Sequence, residues 1–138
     1  MEASLVGSEM CIRDRYLLSS SLLFVLSQRL VRRLCVKCKK PDNDQKSIKL
    51  MKSNNIKGEI FKPVGCKHCD DTGYSGRLSI GECIVVDEKI NELIYKQASE
   101  AEITDYVFKN NKKIFLNGLE AVIAGETSIT EILRVSQE

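Results

Sequence analysis

Four of the six cysteines stand in two like frames, Cys35-Val36-Lys37-Cys38 and Cys66-Lys67-His68-Cys69, with 27 residues between the pairs. A CxxC turn aims two sulfurs at one point in space. Two such turns facing each other make the tetrahedral four-thiolate cage that structural Zn²⁺ prefers, with metal–sulfur bonds of about 2.3 Å. That cage has no open coordination position, which argues against a catalytic metal. Arg32, Arg33, Lys37, Lys39, Lys40 and Lys67 lie beside the pairs, and positive neighbours favour thiolates over thiols around a centre whose formal charge is −2. Two other readings stay open: a pair of disulfides, which needs an oxidising compartment, and a redox CxxC, which is normally single and follows a βα pattern. His68, the only histidine, is expected to be a solvated spacer; its alternative role is to replace a cysteine or donate from the outer shell. Cys83, between Glu82 and Ile84 in an apolar segment, reads as a small buried hydrophobe.

Little else in the chain can do chemistry. No Gly-x-x-x-x-Gly-Lys-Ser/Thr phosphate loop occurs, and Gly73-Tyr74-Ser75-Gly76-Arg77 is too short and lacks the lysine at the required place. One histidine and dispersed acids make neither a nucleophile elbow nor a paired-carboxylate site. Arg29, Arg32 and Arg33 are candidates for a contact surface, weighed against the plainer role of balancing a helix terminus or the thiolate charge. Six basic side chains between Arg29 and Lys40 raise the alternative of a small zinc-ribbon nucleic-acid binder. Such a binder interleaves aromatics with its charge, and between Arg29 and Lys62 the only aromatic is Phe61.

The elements that must position the cysteines follow from patterning in a 138-residue chain with 43% hydrophobic and 29% charged residues. That composition is globular. Residues 1–81 carry 15 basic and 8 acidic side chains, a net of +7, whereas residues 82–138 carry 6 and 11, a net of −5. The apolar run Tyr16 to Leu26 falls short of the roughly 20 residues a membrane helix needs, and no small-residue cleavage site follows it, which speaks against a signal peptide. Leu22, Leu23, Leu26, Leu30 and Leu34 recur at three- and four-residue steps and predict an amphipathic helix over 19–34. A short helix is expected over Gln45 to Ser53, strands over Glu59 to Val64 and Arg77 to Val86, and a tight turn at 73–76. Four helices should follow: Asp87 capping one through Lys96, Ser99 with Glu102 boxing one through Lys109, one over Lys112 to Ala124 closed by Gly125, and one over Ile129 to Val135 capped by Thr127 or Ser128. Residues 4–15 resemble a translated sequencing adapter, so residues 1–15 are expected to lie outside the fold and Cys11 to have no role.

Several strings together resemble the C-terminal part of the type II secretion and type IV pilus assembly ATPases: Tyr16-Leu17-Leu18-Ser19-Ser20-Ser21-Leu22, then Gln28-Arg29-Leu30-Val31-Arg32-Arg33-Leu34-Cys35-x-x-Cys38, then Gly65-Cys66-x-x-Cys69-x-x-Thr72-Gly73-Tyr74-x-Gly76-Arg77. Ala98-Ser99-Glu100-Ala101-Glu102-Ile103 and Ala124 through Val135 complete the match. Leu78-Ser79-Ile80 and Cys83 depart from the commoner Thr-Gly-Ile and Leu, away from the cysteine pairs. The resemblance implies an α+β fold, mainly helical, with a four-cysteine zinc-knuckle subdomain and a short β-hairpin, forming the C-terminal part of a RecA-like ATPase. It implies residues 16–34 as the last helix of that core, 35–86 as the zinc subdomain and 87–138 as a closing helical subdomain. It further implies a hexameric parent that binds ATP and Mg²⁺ through motifs not in this sequence, so that this piece alone is inactive. Contact with the inner-membrane platform or its cytoplasmic adaptor and a cytoplasmic location at the membrane face are implied as well, and, with so few aromatics beside the basic residues, no nucleic-acid partner is expected.

Overall fold

From Phe24 onward the backbone bonds sideways to another strand, not along a helix. The computed structural model describes residues 16–136; the expected leader and Cys11 lie outside the described residues. Residues 16–21 are helical, and β1 then runs over Phe24–Leu34. The predicted helix over 19–34 is therefore wrong for most of its length. Leu23, Leu26 and Leu30, which set the helical spacing, are all more than half exposed, whereas Val31 and Leu34 are buried. A strand partner some forty residues downstream outweighs the local pattern, as tertiary pairing commonly does for short apolar runs.

That partner is β4, Tyr74–Val85. Cys35 N–H donates to the Gly73 carbonyl at 3.0 Å and Gln28 meets Ser79, so the two strands run antiparallel. Two very short strands, β2 (Lys40–Pro41) and β3 (Phe61–Lys62), form a second antiparallel pair with Lys40 opposite Lys62 and Pro41 opposite Phe61. Both predicted strand segments are present, but they do not pair with one another: β3 joins β2, and β4 joins β1. Between β2 and β3 lies α1, Gln45–Ser53, capped by Asp44, whose carboxylate accepts from Ser47 N–H at 3.0 Å.

The remaining helices follow the predicted caps closely. Asp87 Oδ1 accepts from Ile90 N–H at 2.8 Å to open α2, Glu88–Tyr95. Ser99 Oγ accepts from Glu102 N–H to open α3, Glu100–Asn110. α4 spans Ile114–Ile123 and ends before Gly125 at φ +75°, and α5 spans Ile129–Ser136. Of the two residues offered as the α5 cap, Ser128 takes the role, its Oγ accepting from Glu131 N–H at 3.4 Å. Thr127 bonds elsewhere.

The chain divides into two units. One holds the described residues up to Leu26 together with Cys83–Asn111; within it α2 packs against α3, Ile90 and Val107 are buried, and Tyr106 donates to Asp87. Cys83 is exposed, not buried as expected; its strand pairs with a single partner, and Val85, two residues on, is exposed as well. The other unit holds Ser27–Glu82 with the described residues from Lys112 on, and its core is Val31, Met51, Ile60, Ile80, Leu119, Val122, Ile129, Ile132 and Val135. All four paired cysteines belong to this second unit.

Candidate metal centre

Each cysteine pair is shaped by a turn that ends or begins a strand. The first follows β1 directly: Cys38 and Lys39 N–H groups both donate back to the Cys35 carbonyl, at 3.4 and 3.0 Å, and the chain then enters β2. The second is a 3₁₀ turn, Lys67–Cys69, entered from Cys66 in extended conformation. It closes through Asp71 N–H to Cys66 O at 2.9 Å and Thr72 Oγ1 to Cys69 O at 2.7 Å. Asp70 and Asp71 both adopt left-handed backbone, φ 53° and 60°, a conformation that short polar side chains tolerate better than others.

Two glycines are obligatory here. Gly73 has φ +81°, and a Cβ on it would lie 2.4 Å from the Pro63 Cβ. Gly65 has φ +113°, and a Cβ there would lie 2.8 Å from the Asp71 carbonyl oxygen. Both also use their backbone N–H groups on sulfur. Gly65 donates to Cys38 Sγ at 3.3 Å, Gly73 to Cys69 Sγ at 3.2 Å, and Cys66 N–H to Cys69 Sγ at 3.3 Å. Amide donors aimed at sulfur stabilise the thiolate form.

The sulfurs of Cys35, Cys38, Cys66 and Cys69 all lie within 4.8 Å of one another. Cys35 to Cys66, Cys38 to Cys69 and Cys66 to Cys69 are each 3.8 Å apart. A regular tetrahedron with metal–sulfur bonds of about 2.3 Å has edges of about 3.8 Å, whereas a disulfide brings its sulfurs to about 2.05 Å. The four thiols are unbonded to one another, and their spacing fits one shared ion better than two separate bridges. Cys38 and Cys69 are pushed in opposite directions. Burial pushes the Cys38 thiol up to about 11, reinforced by the neighbouring thiols against a single amide donor. At Cys69 burial acts the same way but is overcome by the Cys66 and Gly73 amides and adjacent thiols, which bring it down to about 6.

His68 is exposed and outside the four-sulfur group, in keeping with a spacer. The three arginines diverge. Arg29 is exposed and its guanidinium donates to the adjacent Gln28 carbonyl, and Arg33 is exposed. Arg32 spends its donors within the chain: its guanidinium grips Glu131 Oε1 through Nε at 3.1 Å and through a terminal nitrogen at 2.9 Å, and lies 4.2 Å over the Tyr74 ring.

Glu131 is not singled out by sequence reasoning, yet its side chain is only 1% exposed. Burial pushes its pKa up, but Arg134, Arg32 and the Arg32 amide more than offset this and bring it down to about 2. The one signal the sequence offers is an acid on the same helical face as Val135, three residues on from the capping Ser128.

Comparison with known proteins follows the same residues. The family model described as "Type II/IV secretion system protein" matches residues 6–134. The chain is 39% identical over 127 residues to the type II secretion system protein E of Aeromonas hydrophila, covering 91% of this chain and 25% of that one. It is 39% identical over 139 residues to the type II secretion system ATPase E of Vibrio cholerae, covering 96% and 28%. To the type IV pilus assembly ATPase PilB of Thermus thermophilus it is 37% identical over 121 residues, covering 84% and 14%. The chain thus spans about a quarter of the length of the type II proteins it matches.

Proposed function

The chain belongs to the Type II/IV secretion system protein family, and we propose that it is the zinc-binding C-terminal portion of an ATPase powering type II secretion or type IV pilus assembly, working as a structural and interaction module. The observation that carries this reading is the set of four sulfurs within 4.8 Å of one another, three of their separations being 3.8 Å. Cys35, Cys38, Cys66 and Cys69 would hold one Zn²⁺, which supplies cross-linking of the two turns and no open position for catalysis.

The parent is proposed to be a hexamer on the cytoplasmic side of the inner membrane, contacting the membrane platform or its adaptor. Relatives named as secretion and pilus ATPases support a place in such a machine. Among the described residues no helix is long and apolar enough to cross a membrane. Arg29 and Arg33 are the proposed contact arginines; Arg32 is already engaged with Glu131. Nucleotide and Mg²⁺ would be bound by parts of the parent that this sequence does not carry.

Metal analysis of protein purified under reducing conditions tests the zinc reading. One zinc per chain is expected, falling well below one in Cys66→Ser, since structural zinc contributes on the order of 10 kcal/mol to the folding of small units. A folded, metal-free chain in which Cys35, Cys38, Cys66 and Cys69 all titrate as free thiols would refute it.

A further inference from the structure

Both cysteine turns are bonded to one short stretch, the α4–α5 loop and the start of α5. Leu34 N–H, one residue before Cys35, donates to the Glu126 carbonyl at 2.8 Å. Lys39 Nζ, one residue after Cys38, donates to the Gly125 carbonyl at 2.8 Å and lies 4.7 Å over the Phe61 ring. Gly73 accepts from Cys35 N–H and donates to Cys69 Sγ, and the next residue, Tyr74, shares a 2.7 Å hydrogen bond with Ser128. Thr127 Oγ1 donates to the Arg32 carbonyl at 2.8 Å.

Glu131 is the centre of this set. It accepts the Arg32 backbone N–H at 2.7 Å, the Arg32 guanidinium, and the Arg134 guanidinium at 3.2 and 2.9 Å. A carboxylate this deeply buried is costly unless every oxygen is partnered. Here its partners are the end of the strand that delivers Cys35 and the helix that carries Glu131 itself.

We propose that Glu131 is a positioning residue of the metal centre: through Arg32 it fixes the strand end that presents Cys35, so that metal retention and docking of α5 are one coupled equilibrium. This rests on the reading that the four thiolates hold zinc. Coupling between sites is reciprocal: metal loss loosens α5, and loosening α5 at Glu131 speeds metal loss.

The test is the rate at which the zinc-loaded chain gives up its metal to an excess of a chromogenic chelator near neutral pH. Glu131→Gln should release zinc on the order of tenfold faster, within the usual range for coupled sites. Met51→Ala serves as the comparison, because Met51 is buried in the same core but lies outside the network; it should lower the unfolding midpoint at least as much while speeding release far less. Should Glu131→Gln not fold, Thr127→Val, which keeps the side chain's shape, changes no charge and removes the bond to the Arg32 carbonyl, takes its place with the same expected direction. Release within twofold of the unmodified chain, or release that merely tracks the unfolding midpoint across these variants, overturns the proposal. A chain that binds no zinc at all would instead overturn the zinc reading, a result visible before any rate is measured.

Discussion

At the scale of single residues, the carboxylate of Glu131 and the glycines of the second cysteine turn carry the sharpest consequences. Glu131 is brought from 4.5 in an ordinary setting down to about 2 in the fold. A depressed carboxylate contributes stability that is fully present above about pH 4.5 and is lost as pH falls through the folded-state value. Glu131→Gln should therefore cost about 3 kcal/mol near neutral pH, and the gap between the two proteins should close between about pH 4.5 and pH 2. Chemical denaturation across that range checks it; a gap that does not change with pH contradicts it. Gly73→Ala adds a positive-φ penalty of about 1–2 kcal/mol to a collision with Pro63, and should lower both stability and zinc content. The cysteine ligands are legible in the sequence because metal spacing is a local signature. Glu131 is not, because the one local hint, an acid on the helical face of Val135, does not tell a buried acid from an exposed one.

At the scale of elements, caps are legible and strand pairing is not. Asp87, Ser99 and, of the two residues offered for α5, Ser128 bond the backbone as the expected N-caps, since a cap needs only the residues within one turn of it; Asp44, not read as a cap from the sequence, does the same for α1. The leucines of β1 happen to fall at helical steps, while the reason for its extended form lies in β4, some forty residues on. The division into two units gives these elements separate fates. Ser99→Ala, in the unit without the paired cysteines, should cost about 1 kcal/mol of that unit's stability and leave zinc stoichiometry unchanged. Loss of zinc in that variant would show that the units do not behave independently.

At the scale of the whole molecule, family membership and the cysteine cage are separate lines of support that meet in one reading. The chain covers about a quarter of its type II relatives and has no phosphate loop in its sequence, so equilibrium titration with a labelled nucleotide should detect no binding in the micromolar range. Micromolar affinity would place a nucleotide site where none is proposed. In a full-length protein carrying the equivalent changes, Arg29→Lys or Arg33→Lys should weaken assembly or assembly-stimulated ATPase without changing zinc content, because a planar guanidinium paired to a neighbour's carboxylate is poorly replaced by an ammonium. The most direct measurement of all is X-ray absorption at the zinc edge of the purified chain. Four sulfur neighbours at about 2.3 Å, with no nitrogen or oxygen, is the predicted result; a nitrogen neighbour, which would bring in His68, or a sample without zinc would contradict the four-thiolate centre on which the proposed function stands.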